Sequence, residues 1–73
     1  MEENDKMKML AQQIKVFRAK NSMTQEDLAK ASGISPCAIA LIENCKKKPR
    51  VATLVKIAEA LNVDEKELLC YIL

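Results

Sequence analysis

Histidine and tryptophan are missing from this chain of 73 residues, and glycine occurs once, as Gly33. Without histidine there is no imidazole to carry protons near neutral pH and no His-ligated metal. Nor is there a glycine-rich phosphate loop or a recognisable pair of carboxylates, so the chain reads as a non-enzyme with no cofactor and no evident small-molecule ligand. Only two prolines (Pro36, Pro49) and two aromatics (Phe17, Tyr71) are present. So few turn residues argue against a β-rich fold, and so few rings leave an aliphatic core. The cysteines Cys37, Cys45 and Cys70 are 8 and 25 residues apart, with no C-x-x-C pair. That spacing disfavours zinc, and an odd number of thiols suits a reducing cytosol. The N-terminal MEENDKMKML has no apolar signal-peptide region, and no apolar stretch approaches the ~20 residues of a membrane span. A cytoplasmic chain with no membrane association is expected.

What remains is a chain with 49% hydrophobic and 30% charged residues. That balance fits one all-α domain over residues 1–73. Met7, Leu10, Ala11, Ile14 and Phe17 recur at helical spacing and predict a first helix from Asn4 or Asp5 to Lys20, stopped by Asn21 in a left-handed conformation. Thr24 caps a second helix with Asp27 as its capping-box partner and Met23 stapled to Leu28, and Gly33 follows its end at Ser32. Ser35 caps a third helix, Pro36 takes its first position, Ile34 staples onto Ile39, and the helix stops near Asn44. A fourth helix runs from Val51 to Leu61 with Leu54, Ile57, Ala58 and Leu61 inward. Arg50 is a poor cap for it, and Asn62 ends it. A fifth helix opens at Asp64 with Glu67 closing a capping box and continues through Leu68 toward the chain end.

Charge is unevenly spread. Residues 35–50 hold Lys46, Lys47, Lys48 and Arg50 against Glu43, whereas residues 51–73 hold more carboxylates than amines. A basic cluster beside an acidic end marks a directional surface. Taken alone, K-K-K would equally be a solubilising loop.

The informative segment is QEDLAKASGISPCAIALIEN, residues 25–44. A small residue, Ala29, stands where two helices must approach. Gly33 stands in the turn, and Ile34, Ile39 and Ile42 form the inner side of the second helix of the pair. That spacing is the grammar of a helix-turn-helix. Together with the basic loop, the I-A-x-A-L helix and the V-D-x-x-E-L-L end, it resembles the phage-repressor/Cro-type family of helix-turn-helix proteins over residues 14–69. The resemblance implies a compact five-helix repressor-like domain, binding double-stranded DNA as a homodimer and regulating transcription, in the manner of a repressor. Helix three would enter the major groove with Pro36, Cys37, Ala38, Ala40 and Leu41 toward the bases. Phosphates would be held by Arg18, Gln25, Asn44, Lys46, Lys47, Lys48 and Arg50. Arg18 and Glu43 match a pair that joins helix one to helix three, which could equally be structural alone; for Gln25 the phosphate contact is the leading reading, with a solvated amide as the alternative.

The chain departs from that pattern in two places. Its groove-facing set is small and apolar where relatives carry hydrogen-bonding side chains, so direct readout is expected to be poor in hydrogen bonds and to lean on methyl contacts and DNA shape. The same apolar face leaves a second reading open: a protein-interaction module, antitoxin-like or an adaptor, on the same scaffold. Cys45 stands where relatives usually carry a glycine of positive φ, which predicts either backbone strain or a different turn, with a redox-sensitive thiol as a further reading. Cys37 is the better candidate for a thiolate because of the helix dipole, with a small filler as the plainer role. Cys70 is expected in the core or an interface. Leu69, Tyr71, Ile72 and Leu73 form an apolar end without obvious cover, expected to make a two-fold dimer contact or, alternatively, to fold back beside Met7 and Leu10.

Overall fold

Each long apolar side chain at a 3–4 spacing becomes part of one aliphatic centre, and five helices arrange themselves around it. The computed structural model describes residues 3–72. In chain order the helices are α1 (Glu3–Lys20), α2 (Gln25–Ser32), α3 (Pro36–Glu43), α4 (Val51–Leu61) and α5 (Lys66–Leu69), with no strand among the described residues. Leu10 and Ile14 of α1, Leu28 and Ala29 of α2, Ile39 and Ile42 of α3, Leu54, Ile57, Ala58 and Leu61 of α4 and Leu68 of α5 make the buried cluster. Met7 closes it at one end, while Phe17, Met23, Ile34 and Val63 pack against it half-buried. α2 lies against both α3 and α4, and α1 lies against α3 and α5. The inner side of α3 is therefore held from behind by α1 and α2. No described helix is long and apolar enough to cross a membrane.

Helix starts follow the sequence closely in α2 and α3. The Thr24 hydroxyl accepts from Asp27 N–H and the Asp27 carboxylate accepts from Thr24 N–H, both at 3.0 Å. The Thr24 N–H foremost, and then the Thr24 hydroxyl, hold the Asp27 carboxyl below its usual range, with the Lys30 charge adding to them. A carboxyl whose folded pKa is lowered stabilises the fold above the ordinary Asp range, and that contribution is lost as pH falls through the lowered value. The Ser35 hydroxyl accepts from Ala38 N–H at 3.1 Å, and Pro36 occupies the first turn. Arg50 precedes α4 without any side-chain cap bond.

Helix ends differ more. α1 does stop at Lys20, but the left-handed residue is Ser22 (φ 55°), not Asn21. Met23 N–H bonds Arg18 C=O and Ser22 N–H bonds Ala19 C=O, which is the Schellman pattern with Ser22 in the left-handed position. Asn21 is used otherwise: its amide donates to Phe17 C=O at 2.8 Å and to Leu61 C=O at 3.0 Å, tying the end of α1 to the end of α4. α4 ends as expected at Asn62, which is left-handed (φ 62°). The expected capping box of α5 does not form. Asp64 accepts through its side chain from Lys66 N–H at 2.9 Å, two residues on, so the chain enters through an Asx turn and α5 covers only Lys66–Leu69. Cys70 is exposed rather than in the core, its thiol donating to Glu67 C=O at 3.7 Å.

The turn after α3 keeps the geometry that favours glycine. Cys45 has φ 59°, Lys46 N–H bonds Leu41 C=O at 2.8 Å and Cys45 N–H bonds Ile42 C=O at 3.1 Å. The Cβ of an L-residue is strained in that region by about 1 kcal/mol or more. The Cys45 thiol makes a weak bond to Met7 C=O at 3.8 Å. Cys45→Gly is expected to raise stability by about 0.5–1 kcal/mol in urea unfolding. An unchanged or lower midpoint would show that the strain is relieved elsewhere.

Candidate nucleic-acid interface

α3 is eight residues long, which at about 1.5 Å per residue is a rod of roughly 12 Å. Its sequence, PCAIALIE, divides into two faces. Ile39, Ile42 and Glu43 are buried, and Pro36, Cys37 and Leu41 are exposed, with Ala38 and Ala40 between. Asn44, just beyond the helix, is exposed. The expected base-facing set is therefore turned away from the core. Ala38 sits on the flank, where it lines a cleft of about 360 Å³ with Ile34, Ile42, Lys47, Lys48, Arg50 and Thr53. Lys46, Lys47, Lys48 and Arg50 are all exposed, whereas Pro49 is buried and anchors the loop between them. Cations thus run alongside α3, and its own single carboxylate faces inward.

That carboxylate organises the site. Glu43 is only 2% exposed. Arg18, from the last turn of α1, grips it in a fork: Nε to Oε2 and Nη2 to Oε1, each at 2.9 Å. The Arg18 Nη1 donates to Met23 C=O at 3.0 Å, and Gln25 Nε2, at the start of α2, donates to Glu43 Oε1 at 3.2 Å. One carboxylate accordingly joins α1, α2 and α3. The ion pair anticipated from the sequence is present. The bond from Gln25 to it was not anticipated, because a contact across 18 residues leaves no local trace. A signal for the inward direction of Glu43 did exist: it follows Ile39 by four residues and Ile42 by one, on the apolar side of the helix.

The C-terminal residues lie elsewhere. Leu69, Tyr71 and Ile72 are half-buried against the core, and Tyr71 and Ile72 line a cleft with Lys6, Met7 and Lys48. Tyr71 and Ile72 thus lie beside Met7 of α1 and are partly covered within the monomer, the fold-back alternative read from the sequence. Leu73 lies outside the described residues. Cys37 and Cys45 are free and exposed.

A two-helix unit with a tight Gly33 turn, an outward second helix and a flanking cationic loop is the architecture of a helix-turn-helix protein. The chain belongs to the helix-turn-helix family, whose model matches residues 14–68, and the family is one of DNA-binding transcription regulators. It is 38% identical over 58 residues to the HTH-type transcriptional repressor RghR of Bacillus subtilis, a match covering 78% of this chain but 43% of RghR. The chain thus spans less than half the length of that relative. It is 32% identical over 65 residues to the control protein C.SmaI of Serratia marcescens, covering 89% of this chain and 77% of that protein. Among solved structures, a hypothetical transcription factor from Neisseria, NHTF, superposes with a TM-score of 0.85 at 28% identity, covering 94% of this chain and 79% of the other.

Removing one partner of a buried ion pair strands the other charge. Arg18→Ala is expected to lower unfolding free energy by about 3 kcal/mol, and the double variant Arg18→Met with Glu43→Leu to recover much of that loss. Urea unfolding of the two proteins would reveal this. Equal losses in both would mean that the carboxylate itself is indispensable to the fold.

Proposed function

We propose that this chain is a sequence-specific regulator that represses transcription by placing α3 in the major groove of duplex DNA as a two-fold homodimer. The observation that carries the reading is the division of α3: a buried Glu43 fixed by three side-chain hydrogen bonds on one side, and an exposed face with a cationic loop beside it on the other. An α-helix, about 10–12 Å across with its side chains, fits a major groove about 12 Å wide. Lys46, Lys47, Lys48 and Arg50 would follow one backbone strand. Asn44 would hold a phosphate at the end of α3, and Gln25 one at the start of α2, where exposed helix N–H groups suit an anion. Arg18 spends three N–H groups on Glu43 and Met23 and keeps others for a phosphate nearby. Leu69, Tyr71 and Ile72 retain exposed area for a second copy, and two α3 helices would then reach successive major grooves about 34 Å apart. The names of the relatives, a transcriptional repressor and a control protein, support regulation as the outcome. A cytoplasmic site of action follows from that role.

Phosphate contacts release counterions, so the logarithm of affinity falls by about 0.9 per neutralised phosphate for each unit of log salt. Fluorescence anisotropy over a salt series is expected to show a steep slope. Lys46→Ala with Lys47→Ala is expected to reduce that slope by about 2 per protomer, roughly 4 for the dimer, and to weaken all sequences alike. A flat salt dependence in the unaltered protein would remove the loop from the mechanism.

A further inference from the structure

The surface of α3 also says what kind of DNA it suits. Building on the groove-reader assignment above, we propose that this chain recognises C5-methyl groups of pyrimidines, thymine's in ordinary DNA, with Cys37, Ala40 and Leu41 determining specificity in place of hydrogen-bonding readers.

The polar atoms available to α3 are few, and most are committed. The Ser35 hydroxyl is taken by Ala38 N–H at 3.1 Å. The Glu43 carboxylate is buried and held by Arg18 and Gln25. Between them the helix offers only the Cys37 thiol, a weak donor, and Asn44 lies beyond its end. Readers of guanine and adenine use the paired donors and acceptors of Arg, Asn or Gln, and no such side chain projects from residues 36–43. What does project is a continuous apolar strip. Leu41 follows Cys37 by four residues and Ala40 follows Pro36 by four, so the four side chains stack on one face. Leu41 stands furthest out, at 38% exposure.

Such a strip gains by covering a methyl group and loses by covering a polar base edge, whose water it removes without replacing the hydrogen bond. In the major groove of ordinary DNA the thymine methyl is the only methyl group any base presents, whereas cytosine has a bare C5–H beside an amino donor. The small side chains of Ala38 and Ala40 let the helix backbone approach the bases closely. The alternative occupant is an apolar protein surface. Against it stand the narrowness of the strip, one short helix wide, and the cations Lys46, Lys47 and Arg50 alongside, which fit methyl groups lying between two phosphate rails.

The test starts from duplexes enriched on the full chain from a random pool. The most enriched one is resynthesised with uracil in place of thymine, one position at a time, which leaves base pairing intact and removes only the methyl. Affinity is expected to fall about fourfold at each of several positions under α3, as one buried methyl group should contribute. Replacing thymine·adenine there by 5-methylcytosine·guanine is expected to retain more affinity than replacing it by cytosine·guanine. In Leu41→Ala the thymine-to-uracil ratio should shrink at one of those positions. Uracil equal to thymine throughout, with tight and salt-dependent binding intact, would overturn methyl recognition while leaving the groove-reader assignment standing. Failure to enrich any duplex, even at low salt, would overturn both and favour a protein occupant.

Discussion

A single carboxylate, taken out of water at the end of an eight-residue helix, sets the geometry of this molecule. An ion so deeply buried is tolerated only if its oxygens are bonded and its charge is matched. Arg18 provides the matching charge in a forked contact, and Gln25 adds a further donor to one oxygen. Because these partners come from α1 and α2, satisfying Glu43 also fixes where α3 lies relative to both. Apolar burial alone would hold α3 to the core while leaving its rotation about its own axis loosely defined. The directional bonds at Glu43 remove that freedom, and the opposite face is thereby aimed outward.

Two kinds of work are divided between neighbouring segments. The face of α3 carries short apolar side chains suited to close approach, whereas charge is placed on the loop that follows, with Pro49 buried to anchor it. Long-range attraction and register would come from the loop, and discrimination from the helix. The left-handed turn at Cys45 connects the two and directs the chain from the end of α3 into the lysines. Keeping that turn with a cysteine rather than a glycine stores strain in the loop. The thiol does not offset it with any strong bond.

Much of the architecture could be read in the sequence because it rests on local chemistry. The Thr24–Asp27 box, the Ser35–Pro36 start and the isoleucine spacing of α3 are short-range patterns, and each appears where the residues predict it. Readings failed where a local pattern competed with a neighbour. At Asn21 the amide is recruited by Leu61 C=O across 40 residues, and the left-handed residue moves on to Ser22. At Asp64 a side-chain bond to the second following N–H displaces the expected capping box and shortens α5. The expected interface was legible as a set of exposed and charged positions. The bond between Gln25 and Glu43 was not, since it depends on the packing of two helices rather than on either sequence.

The outer face of α3, held in place by the buried Glu43 carboxylate, is the surface proposed above for contact with duplex DNA. Amide chemical-shift mapping of the isotope-labelled chain during titration with an enriched duplex tests it most directly. The largest perturbations are expected at residues 37–41, at Asn44 and at Lys46, Lys47, Lys48 and Arg50, with Gln25 included and the Lys6–Tyr71 cleft quiet. Shifts confined to that cleft, with α3 unmoved, would contradict it.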